Sequence, residues 1–133
     1  ASDSLCERLE IFWQSLGCRI SWFSASEHDN LVARISHLPH VIAAAGAQVA
    51  LENPDRGLFG GGGLRDTTRI ASGNPEMWAE ILTENREAVI PAIHETIAGL
   101  RDLLASLEKP DQELVRKWLA SAKELRDTLP GIP

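Results

Sequence analysis

The chain reads as mainly α-helical, preceded by one residual helix and strand from a truncated α/β domain. Three features of the sequence carry this reading. From residue 26 onward the apolar residues recur every three or four positions, the period of a helix with one buried face. Breakers at Pro39, Asn53-Pro54, Gly73-Asn74-Pro75 and Pro110 divide that pattern into segments of helical length. Only Cys18, Ile20 and Trp22 alternate with polar neighbours at period two, and nothing else in the chain offers them a partner strand.

The elements follow in order. Asp3 or Ser4 caps a first helix carrying Leu5, Leu9, Phe12, Trp13 and Leu16, and Gly17 stops it. The orphan strand comes next. Ser26 is then expected to cap a helix with Leu31, Val32, Ile35 and Leu38, which Pro39 kinks or splits before the Ala-rich run from Val41 to Leu51. Residues 53–63 read as a loop rich in glycine, followed by a short helix from Arg65 to Ala71. Asn74 caps, and Pro75 begins, a helix with Trp78, Ile81, Leu82, Val89, Ile93, Ile97, Leu100, Leu104 and Leu107 on one face and a bend at Pro91. Unbroken to residue 107, it would be roughly 50 Å long, whereas a globule of this size is about 36 Å across. The overhanging apolar stripe calls for a second copy of the chain to cover it. Pro110 and Asp111 open a last helix with Leu114, Val115, Trp118, Ala122 and Leu125 inward, a Glu113–Lys117 pair outward, and Pro130-Gly131 as its stop.

With 133 residues the chain holds one domain plus the edge of another. Hydrophobic residues at 44% and charged residues at 24% exclude global disorder. A net charge of −6 has the wrong sign for neutralising phosphates, so neither nucleic acid nor an anionic membrane is the expected partner. The least charged stretch, Val41 to Leu51, is too short to span a bilayer, and the first ten residues lack the pattern of a secretory signal, so a cytoplasmic setting is expected. Cys6 and Cys18 lie in no ligand or redox spacing and read as packing residues. The start at Ala reads as that of a processed product or an excised piece.

Several residues carry possible chemistry. Gly60 to Gly63 match neither GxGxxG nor a GK[ST] ending and follow a helix, so the run reads as a connector or as a loop whose backbone approaches a ligand or partner. Arg65 and Arg69, spaced i,i+4 around Asp66, suggest an anion site in an acidic chain, because a guanidinium fork fits a carboxylate. A surface ion pair of Asp66 with one of them is the competing reading. His37 and His40 stand one turn apart; no third ligand supports a metal site, and they read as core histidines or as polar contacts to an anion. Asn85, seven residues after Trp78, falls on the apolar face and reads as a buried polar group with a specific partner. Trp78 reads as core, and secondarily as a pocket wall. Adjacent Ser36 and His37 cannot face one another on a helix, so no hydrolase triad and no nucleophile is assigned.

Two segments, HDNLVARISHLPH (28–40) and GGGLRDTTRIASGNPEMWAEILTEN (61–85), resemble the C-terminal helical dimerisation domain of the prephenate and arogenate dehydrogenases. The opening FWQSLGCRISWFSASEHD (12–29) resembles the final helix and strand of that family's nucleotide-binding domain. The resemblance divides the chain into residues 1–25, the end of the α/β nucleotide-binding domain, and 26–133, the helical substrate and dimerisation domain. It implies NAD(P)-dependent oxidative decarboxylation of a small dianion, prephenate or arogenate, in tyrosine biosynthesis, by a homodimer. It also implies that the cofactor, NAD or NADP, and the catalytic histidine belong to a domain not represented here, so that the chain alone is inactive. By position Arg69 matches the arginine that holds the substrate carboxylate, and His37 and His40 match histidines of the same pocket. Arg65 and Asp66 fall near the pocket and the subunit interface, and Trp78 lies close by. Leu64 stands where the family usually has phenylalanine. The alternative is a non-catalytic dimerisation or tyrosine-sensing module derived from the same domain.

Overall fold

The computed structural model describes residues 3–130, and among them the chain is built of helices, short 3-10 and π turns and connecting coil. Helix α1 (Asp3–Ser15) closes as its glycine foretells: Gly17 adopts φ 83°, its N–H donates to Gln14 O (2.9 Å), and Cys18 N–H reaches Trp13 O (3.1 Å). Asp3 begins the helix, and the position that would cap it lies outside the described residues.

The expected strand is not formed. Residues 18–23 are neither strand nor helix, since no extended neighbour exists among the described residues to take their amides. Trp22 instead donates through Nε1 to Glu10 Oε2 (3.2 Å), tying the segment back to α1.

Helix α2 (Ala25–Val32) is capped by Ser24, not Ser26. Ser24 and Glu27 have the spacing of a capping box: the serine Oγ accepts from Glu27 N–H while the Glu27 carboxylate accepts from Ser24 N–H (2.8 Å). Pro39 splits the next stretch by way of a π turn over Ala33–His37, in which Leu38 N–H donates five residues back to Ala33 O. The proline has no N–H for the carbonyl of Ile35 and its ring would strike it, so a widened turn ahead of Pro39 relieves the clash. Helix α3 (Leu38–Ala50) follows.

The expected loop is partly ordered: Asn53 caps a 3-10 helix over Pro54–Phe59. Helix α4 (Gly62–Thr68) takes up two of the loop glycines and passes directly into a 3-10 turn, Arg69–Ser72. Asn74 accepts from Glu76 and Met77 N–H to start α5 (Pro75–Glu84). The single long helix expected from residue 75 is broken at Asn85 (φ −97°, ψ 22°), after which α6 runs Arg86–Glu108 with Pro91 inside it. Its 23 residues come to about 35 Å, so the overhang drawn from one continuous helix does not exist.

Helix α7 (Gln112–Asp127), capped by Asp111, folds back on α6, and Trp118 Nε1 donates to Gly99 O (3.2 Å). Glu113 pairs with Lys117 (3.7 Å) as expected, and more closely with Arg116 (2.6 Å). Of the residues expected inward, Val115 and Trp118 are half-buried while Leu114, Ala122 and Leu125 are exposed.

The buried apolar residues are small: Ala33 on the π turn, Ala43 on α3, Val89 and Ala92 on α6. Small side chains let these three elements approach closely, and the exposed Arg34–Glu95 pair (2.6 and 2.7 Å) bridges the π turn to α6. The rest of the apolar surface stays open. Leu100, Leu104 and Leu107 of α6 and Leu119 of α7 are all more than half exposed. The chain presents 10883 Å² to solvent, against roughly 6,900 Å² for a compact monomer of its mass. Among the described residues no helix is long and apolar enough to cross a membrane.

Candidate functional site

The π turn, the start of α3, the 3-10 turn after α4 and the first turns of α5 meet around a cavity of about 510 Å³. Its walls include Ile35, Pro39, His40, Arg69, Gly73 and Trp78. His40 and Trp78 form one wall as a parallel stack, with ring centroids 3.6 Å apart and planes 10° from parallel. His40 is buried, and its Nδ1 has no hydrogen-bond partner among the described residues. Gly73 makes this wall possible: a Cβ there would stand 2.5 Å from Trp78 Nε1 and 3.1 Å from His40 Cε1. In the sequence Gly73 reads only as part of the Gly73-Asn74-Pro75 turn, and nothing local marks the close approach.

Arg69 opens onto the same cavity, exposed, with neither a carboxylate within ion-pair distance nor a hydrogen bond among the described residues. It is the only side chain with a fixed charge in the cavity lining, which contains no carboxylate. In a chain of net charge −6, an unpaired guanidinium beside an apolar, aromatic wall is a place where an anion with a flat hydrophobic body can be received. By contrast, the polar cavity beside Asp29, Glu84 and Glu87 carries carboxylates and no cation.

His37 does not line this cavity. It lies buried, its ring roughly perpendicular to that of Trp78 (centroids 6.3 Å apart, planes at 85°), and its Nδ1 is 3.1 Å from Asn85 Nδ2. Burial holds its pKa below the ordinary histidine value; the Asp29 carboxylate opposes this and His28 adds to it. Asn85 is half-buried, not buried as its place on the apolar face suggested, but it does have specific partners, since the same Nδ2 also donates to Asp29 O (2.9 Å).

Arg65 is separated from Arg69. It faces a different, smaller cavity of about 220 Å³ with Leu51, Gly60 and Leu64. The i,i+4 spacing would align the two arginines on a continuous α-helix, but α4 gives way to a 3-10 turn at Arg69, and the tighter turn re-aims that side chain. Asp66 is exposed and makes no ion pair with either arginine among the described residues.

Residues 24–121 match the family model described as prephenate dehydrogenase, dimerization domain. The chain is 32% identical over 120 residues to cyclohexadienyl dehydrogenase of Zymomonas mobilis, covering 86% of this chain and 41% of that one. It is 34% identical over 128 residues to prephenate dehydrogenase of Bacillus subtilis, covering 93% and 34%. Prephenate dehydrogenase of Aquifex aeolicus, solved with hydroxyphenyl propionate and NAD+, superposes with a TM-score of 0.84 at 30% identity, over 95% of this chain and 46% of that one. Arogenate dehydrogenase of Synechocystis gives 0.82 at 26% identity, over 95% and 48%. The chain thus spans less than half the length of each of these relatives.

Proposed function

The chain belongs to the prephenate dehydrogenase family through its dimerization domain, and from that premise we propose that it is the substrate-side and dimer-forming part of an NAD(P)-dependent prephenate or arogenate dehydrogenase. The observation that carries the proposal is the unpaired Arg69 guanidinium sharing a cavity with the His40–Trp78 stack. Prephenate and arogenate join carboxylates to a six-membered ring. Arg69 takes a carboxylate through its two parallel N–H donors, the indole and imidazole faces bound the ring, and the partnerless Nδ1 of His40 offers a polar contact to a bound oxygen. Arg65 and Asp66, away from this cavity, are assigned to its surroundings and to subunit contacts, not to the carboxylate itself.

The dinucleotide does not fit this chain. The Gly60–Gly63 run follows a 3-10 turn and opens a seven-residue helix, with no strand before it among the described residues, so it is no dinucleotide-binding turn. We place NAD or NADP and the hydride-transfer chemistry in a nucleotide-binding domain of which residues 1–25 are the final part and the remainder is not represented in this sequence. The role of this chain is to bind and orient the substrate and to wall it from water.

The homodimer rests on surface, not on helix length. The area that one chain exposes beyond a compact monomer is about 4,000 Å², more than the roughly 1,000–2,500 Å² that each partner of an obligate interface buries, and so enough for a second copy and a further domain contact. We assign the leucine faces of α6 and α7 to a second copy and the exposed Phe12, Trp13 and Trp22 to the nucleotide-binding domain.

Mixing the chain with a separately prepared nucleotide-binding half, and following NAD reduction with prephenate, tests the assignment. Turnover that requires both parts is expected. A formed complex that binds the acid without turning it over would favour an effector-binding module.

A further inference from the structure

Asn85 interrupts what would otherwise be one helix, and its side chain reaches back to two residues 48 and 56 positions earlier. The carbonyl of Asp29 can only accept a hydrogen bond, so the Asn85 atom 2.9 Å from it is the amide nitrogen, and the orientation of the amide is thereby fixed. That nitrogen has a second hydrogen, directed to His37 Nδ1 at 3.1 Å. His37 Nδ1 is therefore an acceptor, and its ring proton sits on Nε2. The ring so held lies edge-on to Trp78, and Trp78 stacks on His40 at the cavity. An unbroken series of contacts runs from the α5–α6 break to the wall of the cavity.

We propose that Asn85 is a positioning residue: it holds His37 as the Nε2–H tautomer and, through His37, fixes the Trp78–His40 wall of the anion cavity. Its effect on ligand binding rests on the substrate reading above, whereas the tautomer does not. The helix break has a purpose on this view. It gives Asn85 a backbone conformation outside the helix from which one amide serves both acceptors. The titratable groups that act on His37 are Asp29 and His28 on α2, and Glu84 and Glu87 share a cavity lining with Asn85.

Long-range ¹H–¹⁵N correlation spectra of the full 133-residue chain at neutral pH report the tautomer directly. The wild type is expected to show His37 with Nε2 protonated and Nδ1 bare. Asn85→Asp keeps the shape and replaces the donor with an acceptor, so His37 should acquire a proton on Nδ1, and affinity for hydroxyphenylpropionate should fall about tenfold as the wall shifts. A wild-type His37 protonated on Nδ1 would overturn the proposal, even if the variant fails to fold. So would an Asn85→Asp protein whose tautomer is unchanged, or one whose tautomer flips while its affinity stays within twofold. A wild-type chain with the expected tautomer and no affinity for the acid would contradict the substrate reading and the wall's role together, and leave the tautomer standing.

Discussion

One methyl group added at Gly73 should loosen both the fold and the site. Its backbone (φ −64°, ψ 160°) suits any L-residue, so Gly73→Ala meets no conformational strain. Considered alone, the loss of glycine freedom in the unfolded chain would stabilise by about 0.4–1 kcal/mol. Space decides otherwise. The new Cβ would lie 2.5 Å from Trp78 Nε1, 2.8 Å from Trp78 Cδ1 and 3.1 Å from His40 Cε1, whereas nonbonded carbons rest about 3.5–4.0 Å apart. The indole must retreat by about 1 Å, and any such movement disturbs a stack already at 3.6 Å. Overpacking of this kind costs about 1–3 kcal/mol, so the net loss is about 1–2 kcal/mol, seen as a fall in melting temperature of roughly 3–8 °C. Displacing the cavity wall by that distance should weaken ligand capture tenfold to a hundredfold. Differential scanning calorimetry and titration with hydroxyphenylpropionate measure the two effects. Gly46→Ala is the control: it lies within α3 with nothing near its Cβ position, and should stabilise by about 0.5–1 kcal/mol. A Gly73→Ala protein that melts within 1 °C of the wild type and binds normally would refute the close-approach reasoning.

Stability should depend on pH through His37. Its folded pKa lies below the unfolded value of about 6.5, so the unfolded chain binds the extra proton first, and the stability present above pH 6.5 is lost as pH falls toward the folded pKa. Urea denaturation at pH 5 and pH 7 should therefore show a steeper loss in the wild type than in His37→Gln; equal slopes would exclude His37 as the group responsible. Leu104→Asp, on the open face of α6, should raise the dimer dissociation constant at least tenfold in sedimentation equilibrium, while the wild type at micromolar concentration gives twice the chain mass. A monomeric wild type would remove the second copy from the account.

Much of this was legible in the chain because local rules and tertiary demands agreed. Gly17 stops α1, Asn74-Pro75 starts α5 and Asp111 starts α7, each through a backbone requirement that one or two residues satisfy alone. The placement of Asn85 on an apolar face announced a specific partner, though not which one, and overstated its burial. The break at that residue was hidden, since the apolar period continues across it and no proline or glycine marks it; the pull of Asp29 O and His37 Nδ1 on its amide is a tertiary effect. The separation of Arg65 from Arg69 was hidden for a related reason, because a change from α to 3-10 winding alters side-chain direction without altering sequence spacing. His37 and His40 stand one turn apart in sequence, yet His40 lines the cavity and His37 does not. Gly73 was missed because a glycine that must be small and a glycine that must turn look the same in a single sequence.

The equilibrium affinity of the intact protein for hydroxyphenylpropionate, compared between wild type and Arg69→Ala, most directly examines whether the acidic chain captures its anion with one guanidinium. Loss of a charge-assisted, two-pronged contact should weaken binding more than tenfold, Arg69→Lys should restore only part of it, and Arg65→Ala should leave it within twofold. Equal affinities for wild type and Arg69→Ala, or a larger loss from Arg65→Ala, would contradict the proposed site.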